Sequence, residues 1–252
     1  MAGHSKWANI KHRKGTQDKR RSKLFTRILK DVYIAAKNGG PAPESNPALR
    51  LAIQNGRGAN IPKDRIEAAI KKASGKDAQN FDELSFEGYG LGGVGVFIEA
   101  ATDNSNRTIA NIRTIFTKGN GSLGTNGSLS FIFSQKGVFT IPKSQLEGKN
   151  MEEIEFQLID GGAEEIEMLD EFLSVTTSFE DFGKMQRHLE TIGIEAENAS
   201  LQRIPSVYKT LSLPDAIKFL KMIEKFEEDE DISAVYHNLE ITPELAQHLE
   251  QL

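Results

Sequence analysis

The 252-residue sequence predicts a multidomain α+β protein: an N-terminal three-helix domain followed by two α+β domains, one inserted in the other. Three observations carry this. Apolar residues recur at helical spacing across residues 22–75. Strand-like and helical stretches then alternate to the end of the chain. Within them, residues 137–204 read as an uninterrupted βαββαβ run, the ferredoxin-like order.

In the first helix Leu24, Phe25, Ile28, Leu29, Val32, Ala35 and Ala36 share a face, and Asn38-Gly39-Gly40-Pro41 ends the run. Ser45 or Asn46 is placed to cap the second helix, with Pro47 near its first position. Its apolar face is Leu49, Ala52 and Ile53, and Gly56-Arg57-Gly58 terminates it. The third helix starts at Asn60-Ile61-Pro62 and shows Ile66, Ala69, Ile70 and Ala73 before Gly75.

Beyond residue 80, 94–100 reads as a buried strand, 105–118 as a helix and 128–134 as an alternating strand. The βαββαβ run comprises strand 137–142, helix 151–160, strands 163–168 and 171–177, helix 180–192 and strand 194–204. Strand 206–211, helix 214–228 and strand 231–237 complete the pattern. Neither flanking βαβ piece has enough strands for a stable sheet alone. They are expected to combine, giving domains at 1–78, at 79–135 plus 205–245, and an inserted ferredoxin-like domain at 136–204.

Charge is strongly segregated. The formal net charge is −5, yet residues 1–75 hold 17 basic and 5 acidic side chains, and residues 76–252 hold 14 basic and 31 acidic. Ten of the cations lie in the first thirty residues, against the single acid Asp18. A cationic head on an acidic body suits a polyanion. Cations bind phosphates and flat rings stack on bases, so His4, Lys6, Trp7, Lys11, His12, Arg13, Lys14, Lys19, Arg20, Arg21, Lys23 and Arg27 are the candidate nucleic-acid-binding residues. The plain alternative is a solubilising basic tail. A lone tail does not explain Trp7, or the smooth entry into an amphipathic helix whose apolar face is needed for packing rather than for a membrane.

Composition narrows the classes. No apolar run reaches the roughly 18 residues of a membrane span, and the start lacks the apolar core of a secretory signal. The sequence has no cysteine, which removes disulfides, thiolate zinc sites and cysteine nucleophiles. A cytoplasmic protein is expected. Gly88, Gly90 and Gly93, and again Gly119, Gly121 and Gly124, match G-x-G-x-x-G, but both runs lead into strands rather than a helix N-terminus. They are read as turns or points of close backbone approach. Asp103-Asn104-Ser105-Asn106-Arg107-Thr108 is read as a helix-capping cluster, with Asn106 or Ser105 as the cap and Arg107 as an additional phosphate contact. The five histidines lack metal-ligand spacing and no serine sits in a nucleophile elbow. The expectation is no catalytic residue, no metal and no cofactor.

The opening Ala2-Gly3-His4-Ser5-Lys6-Trp7-Ala8-Asn9-Ile10-Lys11-His12-Arg13-Lys14 closely resembles the signature start of the YebC family. That family includes the mitochondrial translational activator of cytochrome c oxidase subunit I. The likeness continues through Ala36-Lys37-Asn38-Gly39-Gly40, Asn60-Ile61-Pro62-Lys63, Glu87-Gly88-Tyr89-Gly90, Thr102-Asp103-Asn104 and Val235-Tyr236-His237-Asn238. Leu91 departs from the family's usual Pro, and Ile61 from its usual Met. The resemblance implies a helical domain followed by two α+β domains. It also implies a nucleic-acid-binding regulator, either a ribosome-associated translation factor that helps synthesis through proline-rich stretches or a DNA-binding transcriptional regulator. The expected partner is nucleic acid, with ribosomal RNA favoured over DNA, and the expected state is a monomer with no membrane contact.

Overall fold

The computed structural model describes residues 18–75 and 78–251. Helices α1 (Asp18–Gly39), α2 (Pro47–Gly58) and α3 (Lys63–Ala73) come first. Strands β1 (Asp82–Tyr89) and β2 (Gly95–Thr102), helix α4 (Ser105–Lys118) and the short β3 (Ser122–Leu123) follow. Next are β4 (Phe133–Pro142), α5 (Met151–Asp160), β5 (Ala163–Met168), β6 (Phe172–Ser178), α6 (Phe182–Thr191) and β7 (Asn198–Pro205). The chain closes with α7 (Leu213–Glu228), β8 (Ile232–His237) and α8 (Pro243–Glu250). This is the α+β architecture expected, a helical start followed by two four-stranded sheets.

Two compact units divide these elements. The first contains Gln79–Ser134 and Arg203–Leu252. Its antiparallel sheet has the order β3-β1-β2-β8. Phe86 lies opposite Ile98, which lies opposite Val235 on the next strand. Because strand side chains alternate, these three point to one face, where Ile112 and Phe116 of α4 and Phe219, Ile223 and Phe226 of α7 bury them. Phe116 and Phe226 meet edge to face at 4.9 Å. The opposite face holds Phe97, covered by Leu129, Ile132 and Phe133. On that face burial pushes the Glu99 carboxyl upward, and Arg203, 3.3 Å away and stacked over Phe97, pulls it back.

The second unit contains Leu24–Ala78 and Gln135–Gln202. Its sheet runs β5-β6-β4-β7, the ferredoxin-like order of a βαββαβ chain. Ile166 sits opposite Val175, and Val175 opposite Phe139. Leu158 of α5 and Met185 and Leu189 of α6 close the core over them. In the same unit α2 lies against β7, an edge strand. Asn55 donates to the Ala199 carbonyl and accepts from the Ala199 amide, both at 2.9 Å, while Gln54 donates to the Ala196 carbonyl at 3.0 Å. One amide side chain thereby satisfies edge groups that would otherwise invite another strand.

The structure revises four expectations. Residues 128–132 are turns, and the strand expected at 128–134 begins only at Phe133, merging with the one expected at 137–142. The cause is Glu87, a buried carboxylate that accepts from the amides of Gly127 (2.8 Å) and Leu129 (2.6 Å) and so holds this stretch out of a ladder. No strand forms at 206–211: Asn238 takes up its polar groups, donating from its side chain to the Val207 carbonyl and accepting at its own carbonyl from the Lys209 amide. The sheet expected from the flanking pieces forms instead with β1, a strand the sequence reading missed, and the short β3 beside β2 and β8. Finally, the cap of α4 is Asn104, whose side chain accepts from the Arg107 amide at 3.1 Å, rather than Ser105 or Asn106.

The glycine runs are structural. The first forms the β1–β2 hairpin, with Gly92 and Gly93 at φ 66° and 75°. A Cβ at Gly88 would collide with the Phe116 ring, and one at Gly90 with the Phe219 ring.

Candidate nucleic-acid interface

The interface is best followed along α1. Its buried side is Ile28, Val32, Tyr33 and Ala36. At about 100° per residue, Lys23, Arg27, Lys30 and Lys37 fall on the arc turned away from that side. Arg21 and Lys23 are exposed, while Arg27 and Lys30 are half-buried. Lys37 donates to the Ala78 carbonyl at 2.6 Å and is thus occupied within the helical segment. Lys19 and Arg20 lie in the first turn of α1. His4, Lys6, Trp7, Lys11, His12, Arg13 and Lys14 lie outside the described residues.

A single buried side chain sets how α1 hands over to α2. Asn46 Oδ1 accepts from the Leu49 amide at 3.1 Å and caps α2. Its Nδ2 donates to the carbonyls of Ala35 (2.8 Å) and Gly40 (2.9 Å) at the end of α1. One amide therefore ties the end of α1 to the start of α2. Gly39 is required beside it, since a Cβ there would strike the Asn46 amide. Asn46→Ala should cost about 2–3 kcal/mol, combining a lost cap with two abandoned carbonyls. Asn46→Asp retains the cap acceptor but sets a carboxylate against those carbonyls, and should cost at least as much. Urea midpoints of the two variants check this; a midpoint for Asn46→Asp equal to wild type would show that the donors are dispensable.

Sequence reasoning stopped its candidate residues at Arg27, but the helical segment carries further exposed cations. Arg57 ends α2, Lys63 and Arg65 open α3, and Lys71 and Lys72 close it. Lys63 shares its charge with Glu67 at 3.5 Å. The turn between α2 and α3 passes through Asn60 at φ 58°, the left-handed region that Asn tolerates. The signal was present in the sequence as Arg57 between two glycines and as Lys63 and Arg65 after Pro62.

Arg107 is not available in the same way. Its guanidinium donates to Asp231 through Nε (3.1 Å) and Nη2 (2.8 Å), and to Asp103 at 2.7 Å. Those bonds, Asp231 foremost, raise its already high pKa. Arg107 thus has a structural role, tying the start of α4 to Asp231.

A family model described as "TACO1/YebC protein N-terminal domain" matches residues 5–76, and one described as "TACO1/YebC second and third domain" matches residues 81–239. The chain belongs to the TACO1/YebC family. A family member from Geobacillus thermodenitrificans is 46% identical over 243 residues, covering 95% of this chain and 97% of its own length. One from Treponema denticola is 46% identical over 242 residues, covering 96% and 97%. Both are described as probable transcriptional regulatory proteins. The crystal structure of a conserved hypothetical protein from Aquifex aeolicus aligns with a TM-score of 0.78 at 36% identity, covering 88% of this chain and 91% of that one. The match to residues 5–76 covers every Lys and Arg of residues 1–75.

Proposed function

We propose that this protein is a non-enzymatic, nucleic-acid-binding regulator of gene expression, acting as a cytoplasmic, monomeric translation factor on the ribosome. The observation that carries the reading is the segregation of charge: 17 basic against 5 acidic residues in 1–75, and the reverse balance beyond. Phosphates draw in such a head and repel the body, so the charge alone orients the molecule on RNA. Lys6, Lys11, Arg13 and Lys14 contact phosphates, and Trp7, His4 or His12 stacks on an unpaired base. The chain performs no bond chemistry; it positions RNA, and through it eases synthesis across proline-rich stretches, as the family resemblance implies.

The relatives' description as transcriptional regulators favours a second reading, a DNA-binding regulator. Against it, α3 offers Lys63, Asp64, Arg65, Glu67, Lys71 and Lys72, with no Asn or Gln to read an adenine edge. Co-sedimentation with ribosomes at physiological salt, beside a DNA shift competed by unrelated sequence, separates the two. Specific DNA binding without ribosome association would overturn the first reading.

The variant Lys11→Ala, Arg13→Ala, Lys14→Ala removes three phosphate contacts. Its plot of log affinity against log salt should lose about 2–3 from its slope, since each contact contributes about 0.7–0.9. An unchanged slope would remove these residues from the interface.

A further inference from the structure

Residues 151–168, which form α5 and β5, carry seven carboxylates and no Lys or Arg. Lys136 neutralises one of them, Glu164, at 2.6 Å. Helix α5 buries Ile154 and Leu158 against the sheet. On its outer side Phe156 is 71% exposed and Ile159 56%. Three residues apart, these two are neighbours on the helix surface. Glu152, Glu153, Glu155 and Asp160 stand exposed around them. A single exposed apolar residue is ordinary, but an adjacent aromatic and aliphatic pair ringed by four carboxylates is a feature of interfaces.

The charge selects the occupant. Nucleic acid and anionic lipid are both repelled by this face. A neutral apolar partner would strip water from the carboxylates without pairing them, which is costly. A cationic segment meets both requirements, because Lys and Arg lay long apolar stems on a surface while pairing their ends. We propose that the outer face of α5 binds a Lys- and Arg-rich protein segment that seats a large apolar side chain against Phe156 and Ile159. The site faces protein, whereas the cationic head faces phosphate, so the chain is built to join a polyanion to a basic protein.

The test uses the full chain and a fluorescein-labelled synthetic peptide of interspersed Lys, Arg and Leu, read by anisotropy at physiological salt. The expected dissociation constant is on the order of micromolar. Phe156→Ser with Ile159→Ser should weaken binding at least about tenfold, as should Glu152→Lys with Glu155→Lys. All four side chains are exposed, so both variants should stay folded, with the wild-type melting temperature for the serine variant and a slightly lower one for the lysine variant, which sets a cation in the first turn of α5. RNA affinity should be unchanged in the Phe156→Ser, Ile159→Ser variant, whose charge is that of the wild type, which keeps this result separate from the fate of the nucleic-acid reading. Equal binding of a control peptide with every Leu replaced by Ser would reduce the face to mere charge attraction and overturn the proposal. So would concentration-dependent self-association of the chain abolished by the Phe156 and Ile159 substitutions, which would make a second copy the occupant.

Discussion

Replacing Asp231 by Ala should destabilise the first unit by about 3 kcal/mol, a large share of the stability of a domain this size. Asp231 is only 7% exposed. Its carboxylate accepts from Arg107 and, at 2.9 Å, from Thr108 Oγ1, which lies 2.9 Å from Thr102 Oγ1. Both threonines are fully buried. The ion pair itself is the smaller part, because the Arg107 side chain is 47% exposed and water screens it. The larger part is the buried hydroxyl pair, which loses its carboxylate acceptor and keeps only the Asn104 carbonyl, 3.2 Å from Thr108 Oγ1. Asp231→Asn keeps an acceptor for Thr108 and should cost about half as much. Urea unfolding monitored by amide exchange in β2 and β8 checks the effect. A wild-type midpoint for Asp231→Ala would mean that the network is incidental.

That network also shows where sequence reasoning ends. Helices 105–118 and 151–160 were legible to the residue, since each has a polar cap ahead of regular apolar spacing. The choice of cap was not, because Asn104, Ser105 and Asn106 are chemically equivalent candidates. Strand β1 was missed because its alternation is inverted at one place: Glu87, a charged residue, is buried, and Gly88 has no side chain with which to show its face. Residues 206–211 have the composition of a strand, yet Asn238, distant in sequence, takes the polar groups that a ladder would use. The cationic head was legible because charge is additive along the chain and needs no fold. What holds α2 in place was not, since Asn55 and Ala199 are 144 residues apart. Nothing local marks Asn55 as other than a polar residue near a helix end.

Gly58→Ala should have the larger effect of the two, above about 3 kcal/mol on the second unit. A Cβ at this position would overlap the Glu197 carbonyl oxygen, and the obstacle is backbone, which does not rotate away as a side chain does. The end of α2 must therefore lift from β7. As it lifts, Gln54 and Asn55 lose their bonds to Ala196 and Ala199. Asn55→Ala tests the same contact without the collision: it strands both the amide and the carbonyl of Ala199, a residue 1% exposed, and should cost about 2–3 kcal/mol. Because both substitutions act on one docked surface, the double variant should fall short of the sum by about 1–2 kcal/mol. Strict additivity would mean that the glycine and the amide act on separate features. RNA affinity of Asn55→Ala then decides what the docking is for. If binding needs α2 and α3 held on the sheet, affinity falls with the docking; if the head binds alone, it stays at the wild-type value, and the cations of Arg57, Lys63 and Arg65 drop out of the interface.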